Sequence, residues 1–241
     1  MTSRYAKYFP TAIIVVLAAA LAAVLLFMYN QPAPQRGIAA NVEVVAYEPD
    51  SSIWGQNYPN QYSTFEQTTA NNVRTTYGGS DNYSKLEADP NLPILFAGMA
   101  FSKGYTEDRG HGNALTDILE TARVNDKTPG TCYSCKSSSN PGLWAEMTME
   151  TYDATSFANL GQHVTETIGC ANCHDSETMA LVVTNPALEE ALKAQGKDWR
   201  TFTRQEMRTV VCANCHVEYY FKGDGKYLTF PWEQGTQIQN I

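Results

Sequence analysis

The chain has 241 residues, 43% of them hydrophobic and 17% charged, with a formal net charge of −8, which is ordinary for a globular protein of one or two domains. Its first forty residues hold three basic side chains and no acidic one, leaving 14 basic and 25 acidic side chains over residues 41–241, a balance of −11. Such a body presents no nucleic-acid surface. Its acidity reads first as a soluble exterior, with attraction of a basic electron donor as the functional alternative.

In chain order, residues 11–29 (TAIIVVLAAALAAVLLFMY) form an uncharged apolar run preceded by Arg4 and Lys7. This predicts a membrane segment whose start lies inside and whose continuation is exported. A cleavable leader begins in the same way, but the run ends in Leu25-Leu26-Phe27-Met28-Tyr29 rather than in small residues, which favours an uncleaved signal-anchor over residues 1–29. Pro32, Pro34 and Gly37 mark a linker over residues 30–44. The remaining domain, residues 45–241, opens with a stretch rich in Asn, Tyr, Thr, Ser and Gly that lacks periodicity and predicts ordered loop. Leu115, Ile118, Leu119 and Ala122 then recur at helical spacing and place Arg123 at the end of a short amphipathic helix. Asn185-Pro186, followed by ALEEALKAQ and Gly196, gives a cap, a helix and a stop. Thr203-Arg204-Gln205-Glu206 is a capping box that opens a helix leading towards Cys212. No strand of convincing alternation occurs.

All six cysteines fall in three C-x-x-C pairs, each followed at once by a potential iron ligand: Cys132-Tyr133-Ser134-Cys135-Lys136, Cys170-Ala171-Asn172-Cys173-His174 and Cys212-Ala213-Asn214-Cys215-His216. The last two are C-x-x-C-H, the attachment signature of a c-type haem, in which two thiols bond the porphyrin and the histidine ligates iron. Zinc knuckles or redox dithiols share the C-x-x-C pair, but zinc takes matched pairs of knuckles and three leave a remainder. In the first motif lysine replaces histidine. An amine binds iron only when deprotonated, so Lys136 implies a desolvated side chain committed to metal, at a haem treated differently from its neighbours. The expected fold is a mainly α multihaem cytochrome c with long ordered loops, preceded by the N-terminal transmembrane helix.

Beyond the haem motifs, the chain resembles the ammonia-forming pentahaem cytochrome c nitrite reductases. The resemblance is carried by Trp54-Gly55-Gln56-Asn57-Tyr58-Pro59, Tyr77-Gly78-Gly79-Ser80, Asp89-Pro90, Ala97-Gly98-Met99-Ala100-Phe101, Arg109-Gly110-His111, the C-x-x-C-K motif and Cys215-His216-Val217-Glu218-Tyr219-Tyr220-Phe221. It covers the chain from about residue 45 onward and implies six-electron reduction of nitrite to ammonium at the haem held by Cys132, Cys135 and Lys136. Bis-histidine haems would supply the electrons, one at Cys170, Cys173 and His174, the other at Cys212, Cys215 and His216 with His111 as its distal ligand. The resemblance further implies that Arg123 and Tyr219 are active-site residues and that Glu218, with the Tyr219 carbonyl, ligates calcium. Tyr220 is taken as packing, and His163, eleven residues before His174, as a satisfied or exposed side chain.

The implied partners are nitrite, a membrane quinol-oxidising cytochrome as electron donor, the membrane itself, and a second copy in a homodimeric full-length parent. The implied location is periplasmic or on the outer face of the cell membrane. The chain ends at Ile241, about halfway through the family pattern, so a fragment of a longer protein is expected, and activity of these residues alone is not. Two alternatives stay open: a membrane-anchored multihaem quinol dehydrogenase that only carries electrons, and an octahaem-type reductase of other nitrogen or sulfur oxyanions.

Overall fold

The computed structural model describes residues 9–29, 41–70, 73, 74, 76, 81–232 and 235–238. Linker residues 30–40 and the Tyr77-Gly78-Gly79-Ser80 motif lie outside them. The chain divides into residues 1–40 and residues 41–241. The first unit contains one helix, α1 (Phe9–Tyr29), 21 residues long and without a charged side chain. Among the described residues no helix is long and apolar enough to cross a membrane. The anchor expected over residues 1–29 therefore stands on the sequence and is not supported by the fold.

The second unit is mainly helical. Its helices are α2 (Ser51–Asn57), α3 (Pro59–Ala70), α4 (Lys85–Ala88), α5 (Leu92–Leu95), α6 (Ala114–Glu120), α7 (Asn140–Glu146), α8 (Met149–Ala154), α9 (Phe157–Leu160), α10 (Pro186–Ala194) and α11 (Arg204–Val210), with short 3-10 turns between several of them. An antiparallel hairpin follows, β1 (Tyr220–Lys222) and β2 (Tyr227–Thr229), with Phe221 opposite Leu228.

The cap signals act where the sequence places them. Asn185 accepts from the Ala187 amide at 3.0 Å and starts α10, while Gly196 takes φ +70° just past its end. Thr203 and Glu206 exchange side-chain and backbone bonds of 3.3 and 2.8 Å to open α11. Three expectations need correction. The stretch read as loop contains α2 and α3, because Asp50 accepts from the Ser52 amide at 2.7 Å and Pro59 occupies the first turn of α3. Helix α6 ends at Glu120, so Arg123 lies in the turn beyond it rather than on its last residue. The hairpin was not anticipated, since three residues per strand give too little alternation to read. Residues 41–44, grouped with the linker in the sequence, are tied to the domain where Asn57 Oδ1 accepts from the Asn41 and Val42 amides at 2.7 and 3.0 Å.

The apolar core is divided. Leu188 and Leu192 of α10 pack with Met149, Met207, Leu228 and Phe230. Tyr133, Tyr152, Phe157 and Leu160 form a second cluster, in which Tyr133 and Phe157 stack with ring centroids 4.0 Å apart. Val44, Trp54 and Ala171 form a third. The clusters are bridged by buried asparagines. Asn172 Nδ2 donates to the Ser137 carbonyl at 2.8 Å, and Asn214 Nδ2 donates to the Asn172 carbonyl at 3.3 Å. Asn214 Oδ1 accepts from the Thr184 and Asn185 amides, each at 3.1 Å, and Asn185 Nδ2 returns a bond to the Asn214 carbonyl at 2.7 Å.

Replacing Asn214 by alanine would strand the buried Asn185 amide and the part-buried Thr184 amide. Asn214→Ala is expected to lower unfolding free energy by about 2–4 kcal/mol, measured by guanidinium denaturation of the haem-loaded chain. A change below about 0.5 kcal/mol would show that the bridge is replaceable.

Candidate functional site

The Cys132 motif is built on a 3-10 turn, Gly130–Tyr133. The turn is pressed against the end of α8: the Gly130 amide donates to the Thr155 carbonyl at 2.7 Å, and a Cβ at Gly130 would lie 2.6 Å from that oxygen. Glycine is required by this approach. Behind Lys136 runs a buried polar sequence. Ser137 Oγ donates to the Glu166 carbonyl at 2.5 Å and Ser138 Oγ to the Pro49 carbonyl at 2.6 Å. Asn140 Nδ2 donates to the Tyr133 carbonyl at 2.7 Å, and its Oδ1 accepts from the Tyr152 hydroxyl at 2.8 Å. These bonds fix the position from which the lysine side chain starts.

A cleft of about 560 Å³ opens beside this turn, lined by Cys132, Cys135, Lys136, Arg123, Lys127 and Tyr219 among others. No carboxylate lines it among the described residues. Arg123 Nε donates to Thr121 Oγ1 at 3.2 Å, and its guanidinium lies over the Phe101 ring, 4.8 Å from the centroid. Burial pushes the Cys132 thiol up, opposed by the positive charges of Arg123 and Lys136. Tyr219 is 50% exposed, yet partial burial raises its pKa. The Cys135 and Cys132 sulfurs add to this, Arg123 opposes it and Glu218 adds a little more. The cleft thus gathers Arg123, Lys127 and Lys136, the Tyr219 phenol and the thiols of Cys132, Cys135 and Cys215.

The second motif carries its own orienting bond. His174 Nδ1 lies 2.9 Å from the Met179 carbonyl. Nδ1 must donate there, which leaves Nε2 as the nitrogen available to iron. Met179 takes φ +57°, an uncommon conformation for a non-glycine residue in the turn that presents the carbonyl. Trp144 and Trp199 line the adjoining cleft of about 390 Å³, and the indole nitrogens of both are buried without an acceptor.

At the third motif His216 meets His111 across the fold, with ring centroids 6.1 Å apart and planes at 54°. Two imidazoles on opposite sides of one iron, each bonded at about 2 Å, require a separation of this size. Burial, then the neighbouring His216, holds the His111 pKa below the usual histidine value. His111 is aimed by the preceding turn: Gly110 has φ +86°, Arg109 Nε donates to Asp117 at 2.9 Å, and the His111 carbonyl accepts from Thr167 Oγ1 at 2.7 Å.

The six cysteines stand as free thiols, so their interactions report proximity rather than the thioether state. A direct contact with Cys215 draws the Cys135 pKa down, and the same contact, with burial, pushes Cys215 up. Burial and then the neighbouring Cys212 push Cys173 up to about 11. The three motifs are therefore consecutive in space, in the order Cys170/Cys173, Cys212/Cys215, Cys132/Cys135. Their donor sets, the His111–His216 spacing and the orphaned polar atoms beside His174 fit three covalent haems.

Calcium fits less well. Glu218 is exposed, and with the Tyr219 carbonyl it supplies two oxygens where calcium takes six to eight. Among the described residues no group of three or more His, Cys, Asp or Glu is placed to hold a metal ion. These residues do not form a calcium site by themselves. His163 is exposed, beside Tyr47 and Glu146 in a separate shallow cleft. The residues that sequence reasoning missed are Asn172, Asn214 and Met179. The asparagine at the same place in both C-A-N-C-H motifs was the available signal for the first two.

The Cytochrome c552 family model matches residues 50–241. A cytochrome c-552 of Parabacteroides distasonis is 43% identical over 206 residues, covering 83% of this chain and 42% of the relative. One from Aliarcobacter butzleri is 34% identical over 244 residues, covering 94% of this chain and 47% of the relative. In structure the chain is similar to the cytochrome c nitrite reductase of Desulfovibrio desulfuricans, a catalytic subunit described with two calcium sites. The TM-score is 0.74 at 31% identity, covering 83% of this chain and 47% of that one. The chain thus spans less than half the length of these relatives. With the family match extending over most of its sequence, and with the resemblance carried by its motifs borne out, the chain belongs to the cytochrome c552 family of nitrite reductases.

Proposed function

We propose that this chain forms the catalytic-haem part of an enzyme that reduces nitrite to ammonium with six electrons. The observation that carries the reading is the Lys136 cleft, where Arg123 and Lys127 supply two cations beside Lys136 and no carboxylate lines the hollow, in a chain of net charge −8. Haem bound at the three motifs would supply the redox chemistry and an iron face able to take nitrite nitrogen. The protein residues do the rest. Lys136 would hold the first haem as a neutral amine, His174 the second, and His216 with His111 the third. Arg123 binds the anion and favours charge developing on its oxygens as the N–O bonds break. Tyr219, at the same wall, donates a hydrogen bond and holds a proton for transfer.

The spatial order of the thiols supports electron flow from the His174 site through the His216 site to the Lys136 site. The lysine and its cationic cleft favour catalysis over a pure electron carrier, which needs neither. In the same proposal the uncharged N-terminal run serves export or anchoring. The electrons come from a membrane quinol-oxidising cytochrome, and a longer homodimeric parent completes the calcium shell around Glu218 and the Tyr219 carbonyl.

Two outcomes test this. Intact mass and tryptic mapping of the chain from a haem-maturing host should show haem on each of the three cysteine pairs. Six alkylatable thiols, or bound zinc, would contradict it. In the longer parent, Arg123→Gln should lower kcat/KM for nitrite by about 10²-fold, the scale of one lost oriented donor, whereas Tyr219→Phe should mainly lower kcat. Unchanged nitrite kinetics with reduced thermal stability in Arg123→Gln would make Arg123 a structural residue of its turn.

A further inference from the structure

Behind the wall of the Lys136 cleft lies a carboxyl group that the reaction described above does not use. Asp153, on α8, is 1% exposed. Its Oδ2 accepts from the Leu228 amide of β2 at 2.7 Å, and its Oδ1 is buried with no hydrogen-bond partner. Thr131, the residue before Cys132, donates its hydroxyl to the Asp153 main-chain carbonyl at 3.2 Å and to the Lys226 carbonyl at 2.9 Å. Asp153 and Thr131 thus clamp the hairpin, whose first strand follows Tyr219, to the turn that carries the Cys132 motif. Thr131 and Leu228 both line the cleft.

The charges facing Asp153 do not compensate it. Glu150 stands on its own helix, Glu190 approaches from α10, and Tyr227 on β2 donates its hydroxyl to Glu190 at 2.5 Å. Tyr152 beside it is neutral and hydrogen-bonded to Asn140. Lys226 contributes a carbonyl, and its side chain is exposed. No ion pair reaches Asp153 among the described residues.

We propose that Asp153 is a positioning residue that couples protonation to reduction at the Lys136 site, acting through Thr131 and Leu228. One electron from a low-potential donor converts ferric to ferrous iron, and one proton from solvent converts the Asp153 carboxylate to the acid. An unpaired anion in a buried wall favours the more positive ferric state, so losing that anion favours reduction, and reduction favours protonation in turn. Burial pushes the Asp153 pKa up to about 6, offset in part by the Leu228 amide and Thr131, and raised further by Glu150 and Glu190. The switch therefore falls within the physiological range.

The inference rests on haem occupying the Cys132 motif, and the test separates the two claims. The haem-loaded chain and its Asp153→Asn variant, whose amide oxygen still accepts from Leu228, would be reduced stepwise with dithionite at a series of pH values. The potential of the Lys136-site haem would be followed by its high-spin absorption, and the fold by Soret circular dichroism. In the unmodified chain the potential should fall as pH rises, with a break near pH 6. In Asp153→Asn the break should vanish while the Soret dichroism is unchanged. A break that persists in the variant overturns the proposal and leaves the haem assignment intact. Loss of Soret dichroism at every pH also overturns it, because the carboxyl would then serve folding rather than titration. Mass mapping that finds no haem on Cys132 and Cys135 overturns both.

Discussion

The hydrogen-bond bridge through Asn172 and Asn214 is the constraint on which the rest of the structure depends. It links the Ser137 carbonyl, directly behind Lys136, to the second attachment turn, and that turn to the third. Apolar packing is not directional and leaves three separate clusters here. The asparagines convert those clusters into a fixed frame, because buried amide groups must find partners with defined geometry or pay a desolvation penalty. The contact of Cys135 with Cys215 and the approach of Cys173 to Cys212 follow from that frame.

Within that frame the residues that follow the three cysteine pairs, Lys136, His174 and His216, are held differently. His174 is oriented by a carbonyl presented from a turn in the left-handed region, whereas His216 stands opposite His111 with ring centroids 6.1 Å apart. Lys136 emerges from a buried run of serines and an asparagine into a cleft that contains cations and no acid. An iron ligated on one side there would face Arg123 and Tyr219 on the other. The acidic body of the protein makes this local reversal of sign more selective for an anion, since anions are discouraged elsewhere on the surface. Asp153 is the exception, a buried carboxyl behind the wall that reaches the cleft only through Thr131 and Leu228.

The three C-x-x-C turns were legible in the sequence because each is a strict local spacing contained within five residues. The caps of α10 and α11 were readable for a similar reason, since both are contained within four residues. Arg123 was found from the family motif, but its setting was misread: the apolar period runs on to Ala122, whereas α6 stops at Glu120 and a turn follows. Helices α2 and α3 were hidden because they are polar, short and stabilised by an aspartate cap and a proline rather than by an apolar stripe. The asparagine bridge, the hairpin and the position of Asp153 arise from contacts between residues far apart in the chain. Asp153 and Leu228 are separated by 75 positions, and no local pattern encodes such a pairing.

The central claim is that Lys136 marks the iron site at which substrate reacts. It is tested most directly by measuring nitrite turnover and covalent haem content of Lys136→His in the longer parent. Imidazole would alter the axial field and the geometry of the opposite face while leaving both thioethers in place. Unchanged haem content with most of the turnover lost is the predicted result. Undiminished turnover with full haem content would show that lysine ligation is incidental and that catalysis belongs to another site.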